Sequence, residues 1–172
     1  MSVRYRGRED VADSVGLLFS ILVRYPEVAT INFDPDRQVL SFNFIIAGLV
    51  DQSRMDFIER RLLDSIEVFN KLSNKKIRLS LVQRKDCDCF NMIEIQRDVE
   101  TLVREEIALI VVILRQYFEN ILVTDENSPL LEEDLLIQEE IIEHMLESVK
   151  GYAGDKEIFA FREEGRVMVF NK

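Results

Sequence analysis

Two pairs of residues in this chain could bind a metal or carry redox chemistry. Cys87 and Cys89 form a Cys-x-Cys pair flanked by Asp86 and Asp88. Two thiolates one residue apart can supply half of a tetrahedral zinc site, or act as a redox couple. A full site needs four ligands, and the chain has no further cysteine, so a second copy across a two-fold axis would have to supply the other half. The neighbouring aspartates disfavour a thiolate, whereas Arg84 and Lys85 favour one. The second pair is Glu140 and His144, the sole histidine, four residues apart and therefore on one face of a helix. With Glu133 and Glu147 they form a carboxylate–imidazole face that could meet a divalent cation. The Glu-x-x-His motif that carboxylate-bridged bundles place on two helices is not present. The plainer interpretations are two ordinary loop cysteines and the solvated side of an amphipathic helix.

A third feature is electrostatic. Lys71, Lys75, Lys76, Arg78, Arg84 and Lys85 fall in a stretch without a single acidic residue. Such a patch could contact RNA phosphates. It could meet an acidic protein surface, of this chain or of a partner. It could also guard a sheet edge against stray pairing. No aromatic residue shares its strand face to stack on bases, which counts against RNA. Other chemistry has little support. There is no Gly-x-Ser-x-Gly, no Walker lysine loop and no Gly-x-Gly-x-x-Gly. Six glycines leave little material for a phosphate cradle. No cofactor is indicated, and enzyme activity is unsupported.

These residues sit in a chain of 172 with 22 basic and 32 acidic side chains, a net charge of −10 and 47% apolar content. That apolar content excludes a disordered chain, and two cysteines exclude a disulfide framework. The length suits one domain with a sizeable core, and no Pro/Ser/Gly-rich linker divides it. The acidity is concentrated after residue 122, where 5 basic residues face 13 acidic ones. An acidic chain is poorly suited to wrapping nucleic acid or lying on an anionic membrane. The run Val15 to Val23 has the length of a signal-peptide core, but Glu9, Asp10 and Asp13 precede it, where a signal is positive. Ile107 to Leu114 is far short of the ~20 residues that span a bilayer. The expectation is a soluble, cytoplasmic protein with reduced cysteines and no membrane contact.

Periodicity supplies the scaffold. Val11, Val15, Leu18, Leu22 and Tyr25 mark a first helix over 8–25, stopped by Pro26. The alternating runs Ala29–Phe33 and Leu40–Ile46 flank a Pro/Asp turn and predict a hairpin. A capping box from Ser53 to Asp56 should open a second helix, carried by Met55, Ile58, Leu62, Ile66, Phe69 and Leu72. Ile77, Leu79 and Leu81 predict a third strand, with Arg78 and Ser80 on its other side. Residues 84–89 then form a loop, and Phe90 to Gln96 a fourth strand. Because Phe90 and Met92 oppose Ile93 and Ile95, that strand needs a bulge or burial on both faces. Asp98 should cap a third helix over 99–122, whose apolar middle requires cover on every side, centrally or in a subunit interface. Ser128 as N-cap and Pro129 should open a fourth helix ending at Gly151, with Leu131, Leu135, Ile142, Met145 and Val149 towards the core. Ile158–Arg162 and Val167–Phe170 make a last hairpin around Glu163-Glu164-Gly165.

The expected fold class is α+β, with residues 1–172 as one domain. It is an antiparallel sheet of three β-hairpins interleaved with four helices, in the order α-ββ-α-ββ-α-α-ββ. Whether the hairpins form one sheet or two is left open by the pattern. The expected function is a non-catalytic protein-interaction or regulatory module acting as a homodimer with an unidentified protein partner. The alternatives are an RNA-binding accessory protein using residues 71–85, and a metal or redox protein using the Cys87/Cys89 loop or Glu140 and His144.

Overall fold

The computed structural model of the chain describes residues 2–125, 131–152, 154 and 156–171, with backbone alone for residues 2–10. Its elements run α1 Ser2–Arg24, β1 Thr30–Asp34, β2 Val39–Ala47, α2 Gln52–Leu72, β3 Ser80–Asp86, β4 Phe90–Asp98, α3 Arg104–Tyr117, α4 Glu132–Ser148, β5 Ile158–Glu163 and β6 Arg166–Asn171. This is the α+β order read from the sequence. All six strands join one antiparallel sheet in the order β3-β4-β2-β1-β5-β6. The first hairpin is its centre, flanked by the second through β4 and by the third through β1.

The register puts an apolar row straight across the sheet: Val169, Ala160, Ile31, Phe42, Ile95 and Val82. Alternate residues of a strand share a face, so Phe33, Leu40, Phe44, Ile46, Ile93 and Ile158 lie on the same side. All but Val169, which packs half-buried against it, are buried in one continuous cluster with Leu17, Leu18, Ile21 and Leu22 of α1, Ile58 and Leu62 of α2, Ile107, Ile110 and Leu114 of α3, and Ile142 and Leu146 of α4. Within the run Val15–Val23, which has the length of a signal core, Leu17, Leu18, Ile21 and Leu22 are spent on internal packing, and Phe19 is 45% exposed. Among the described residues no helix is long and apolar enough to cross a membrane. Asp34 accepts from the N–H groups of Asp36 and Arg37, which closes the Pro/Asp turn of the first hairpin. The last hairpin turns on Glu164 (φ 51°) and Gly165 (φ 76°), the two left-handed residues of a type I′ turn.

Several boundaries differ from the sequence expectation, each for a physical reason. The first helix starts at Ser2, not Arg8. The second starts at Gln52 after Asp51 with no side-chain cap; Ser53 donates to Asp51 instead of forming a capping box with Asp56. The third strand is displaced to Ser80–Asp86, so Arg84, Lys85 and Asp86 are strand residues rather than a loop. Its facing is also the reverse of that expected. Ser80, Val82 and Arg84 share the inner face, and of these Val82 carries the apolar contact. β4 pairs with β2 without interruption from Phe90 to Asp98, so it needs no bulge, and Phe90 and Met92 are only half-buried on the outer face. The third helix spans Arg104–Tyr117, not 99–122, because Asp98 closes a separate turn before it. That helix is not covered on every side: Val112 is 60% exposed. Ser128 and Pro129 lie outside the described residues. In α4, Ile142, Leu146 and Val149 reach the core, whereas Leu131 is 70% exposed.

One polar knot joins these elements. Arg97 continues the alternation of Ile93 and Ile95, so its side chain enters the core face, where it has no solvent exposure. Its Nε and Nη2 donate to the Glu106 carboxylate of α3 at 2.6 and 2.9 Å. Nη1 donates to the Leu79 carbonyl (2.8 Å) and to Asp98 (2.5 Å), and Nη2 to Thr101 (2.9 Å). Asn70 of α2 donates to Glu106 at 2.7 Å. Asp98 also accepts from the backbone N–H of Arg78, Leu79 and Thr101. A buried charge is tolerable only when paired and hydrogen-bonded, and here both conditions hold. Burial alone would raise the Asp98 carboxyl. The N–H donors of Leu79 and Thr101 and the Arg97 charge outweigh it and hold its pKa below the ordinary value.

Removing one partner leaves the other charge buried and alone. Glu106→Ala should therefore lose about 3–5 kcal/mol in urea unfolding, and Arg97→Met with Glu106→Leu should recover most of that loss. For Asp98 the native state holds fewer protons than the unfolded chain. Its stabilisation is complete above the unfolded value of about 3.9 and fades as pH falls through the lower folded value. Unfolding free energy measured between about pH 4 and pH 2 should fall less steeply in Asp98→Asn than in the native chain.

Candidate functional site

Cys87 and Cys89 occupy the turn joining β3 to β4, which closes through Cys87 N–H to the Phe90 carbonyl at 2.9 Å. Both thiols are free, with Cys87 half-buried and Cys89 exposed. Glu140 and His144 are both exposed on α4, an element that packs on α1 and α3. Among the described residues no three of His, Cys, Asp and Glu gather as a ligand set. Other acidic residues of α4 meet cations. Glu139 pairs with Arg24 at 2.8 Å and Glu143 with Arg104 at 2.9 Å, fastening α4 to α1 and α3. Tyr25 lies beside them under the Arg24 guanidinium, and burial pushes its phenol up despite the two arginines.

The six cations of the basic stretch do not form one surface. Arg84 points to the inner face and pairs with Asp56 (3.6 Å) and Asp86 (3.5 Å). Lys85 points outward, towards Glu94 at 3.5 Å. Lys71 pairs with Glu67 one turn back on α2, and Arg78 with Glu100. Lys75 and Lys76 stand at the mouth of a groove. This groove, of about 920 Å³, runs along the flank of α2 beside β3. Its lining alternates in sign: Asp56, Glu59, Asp64 and Glu67 against Arg60, Lys71, Lys75 and Lys76. Leu63 and Ile77 are its apolar lining residues, and Ser80 lines it with a buried hydroxyl that has no hydrogen-bond partner. Burial raises the Glu59 carboxyl; Asp56 and Asp86 add to the rise and Arg84 opposes it.

The groove lies against a free sheet edge. Among the described residues β3 has β4 as its one neighbour. Asp98 N–H bonds the Leu79 carbonyl and Cys87 N–H the Phe90 carbonyl, which fixes the odd-numbered residues in the bonded pairs of that ladder. The N–H and C=O groups of Ser80, Val82, Arg84 and Asp86 consequently face away from the sheet. The other free edge is β6. There Val167-Met168-Val169-Phe170 is uninterrupted by charge, whereas β3 carries Arg84, Lys85 and Asp86.

The outer face of the sheet changes character along its width. Its centre is polar, with Asn32, Ser41, Asn43, Glu94 and Gln96. At the β5–β6 end it is aromatic. Phe159 stacks on Phe170 at 5.4 Å, and Phe161 meets Phe170 edge-on at 5.7 Å. Met168 and Phe170 remain 45% and 48% exposed. The alternation of Phe159 with Phe161 and of Met168 with Phe170 carried this signal in the sequence. The groove had a fainter one, since a charged flank beside an apolar helical stripe resembles any solvated helix side.

Comparison with known proteins finds no matching family model, curated protein or solved structure. The assigned ladder has a direct consequence for amide exchange. In native-state hydrogen exchange the outward N–H groups of Val82 and Arg84 should exchange faster than those of Leu81 and Gln83, which are tied to β4. Equal protection of all four would show that β3 is not a free edge.

Proposed function

We propose that this chain is a non-catalytic protein-interaction module that acts as a homodimer. The observation that carries this reading is the pair of exposed side chains Met168 and Phe170, packed on the half-buried Phe159 and Phe161 beside the edge of β6, which has no charge between Arg166 and Asn171. Exposed edge strands normally carry charges, proline or a bulge to prevent pairing. β6 has none of these between Arg166 and Asn171, and its register with β5 is unbroken. An isologous two-fold contact fits such an edge, because two antiparallel β6 strands present the same groups to each other. The aromatic cluster lies on the outer face next to that seam and would meet its symmetry mate across it. Aromatic residues and methionine are the side chains that interface centres favour.

Light scattering at micromolar concentration should give a particle of twice the 20.2 kDa chain mass. Met168→Lys with Phe170→Lys should convert it to a monomer with an unchanged circular dichroism spectrum, since both side chains point outward. A native chain that stays monomeric, or a double variant that remains dimeric, would rule out the β6 seam.

A further inference from the structure

We propose that the groove between α2 and the free edge of β3 captures an extended peptide segment of a partner protein. The segment adds antiparallel to β3, with a basic residue towards its N-terminal end and an acidic residue towards its C-terminal end. Backbone complementarity comes first. Ser80, Val82, Arg84 and Asp86 present outward N–H and C=O groups over the seven residues of β3, which is about 20 Å of ladder. An added strand satisfies them, the usual way an edge strand takes a peptide.

Charge then sets the direction. Arg84 pairs with Asp56 near the start of α2, and Asn70 near its end reaches the Arg97–Glu106 pair opposite Ser80. Helix and strand therefore run antiparallel along the groove. At the end where β3 finishes, Asp56, Glu59 and the neighbouring Asp86 outnumber Arg60 and Arg84, and at the end where it begins Lys71, Lys75 and Lys76 outnumber Glu67. A strand antiparallel to β3 enters at the acidic end and leaves at the lysines. Alternate side chains of an extended segment fall on one side, so the groove accepts a basic, an apolar and an acidic residue at every second position. Leu63, 36% exposed, receives the apolar one. The partnerless Ser80 hydroxyl supplies a further polar contact near the lysine end. Four carboxylates in the lining disfavour a nucleic acid in the same place.

The test uses the full chain and a fluorescein-labelled heptapeptide with arginine, valine and glutamate at its second, fourth and sixth positions and threonine between them. A control peptide exchanges the arginine and the glutamate. Anisotropy should show the first peptide binding on the order of tenfold more tightly than the control. Lys75→Glu with Lys76→Glu, both at the groove mouth and outside the core, should remove or invert that preference. Amide spectra should show the N–H groups of Val82 and Arg84 gaining protection on binding. Equal binding of both peptides, binding of neither, or binding that leaves those two amides unchanged would overturn the proposal. Displacement of the peptide by a single-stranded oligonucleotide would also overturn it, in favour of nucleic acid. The Met168/Phe170 double variant should bind the peptide as the native chain does, which separates this outcome from that of the β6 dimer.

Discussion

Arg97 holds a full positive charge where there is no water. Everything near it is arranged to make that tolerable. A carboxylate from α3 grips two of its nitrogens, a carboxylate from the end of its own strand takes a third, and a backbone carbonyl and a threonine fill the rest. Because these partners come from separate elements, the charge is satisfied only when all are in place. Apolar burial draws helices onto a sheet without specifying one position along it. A guanidinium that needs α3, the 98–101 turn and the approach to β3 together selects a single arrangement. Glu106 also carries Asn70, so α2 is set by the same contact. The groove beside β3 inherits its geometry from this knot, since the start of β3 and the end of α2 are both tied to it.

How much of this was legible in the sequence depended on where each residue's partners lie. The first and last hairpins were clear because alternation and turn chemistry are local. β3 was misplaced because an edge strand needs little apolar burial. Leu79 and Leu81 alternate as core residues would, yet Val82 is the one that packs inward. Arg97 was visible in principle: it continues the phase of Ile93 and Ile95, and extending the fourth strand by two residues would have placed it on the apolar face. A strand that stops at Gln96 leaves Arg97 outside the ladder, and Asp98 then stands where a helix cap belongs rather than a turn-closing carboxylate. Nothing in local pattern could supply the partner Glu106, which becomes a neighbour only through the fold. The basic stretch is shaped by the same non-local placement, which leaves Lys71, Lys75 and Lys76 together in the groove lining. Six cations close in sequence are dispersed by strand alternation and helix ends, and four of them meet carboxylates.

The sheet also divides its labour across its width. The inner face carries an apolar row from one edge to the other, with Arg97 buried in its interior and Ser80 and Arg84 as polar members at the β3 edge. The outer face is polar in the middle and aromatic at one end. The two edges differ in kind: β3 is charged and overhung by α2, and β6 is bare and apolar. An edge lined by both signs favours a partner whose own charges run in matching order. An apolar edge without guards favours a copy of itself. The asymmetry arises because the first hairpin occupies the centre and each later hairpin extends one side.

That central placement has a cost during synthesis. β1 pairs with β2 from the start, but its other side waits for β5, whose residues follow it by more than a hundred positions. At typical translation rates the delay is on the order of ten seconds. Throughout that interval Thr30–Asp34 is itself a border, with Ile31 and Phe33 destined for the deepest part of the protein. Nascent chains on a crowded polysome could pair there with one another. The newborn polypeptide is therefore most vulnerable at the strand that becomes its most protected, and closure by the last hairpin is the step that ends the exposure.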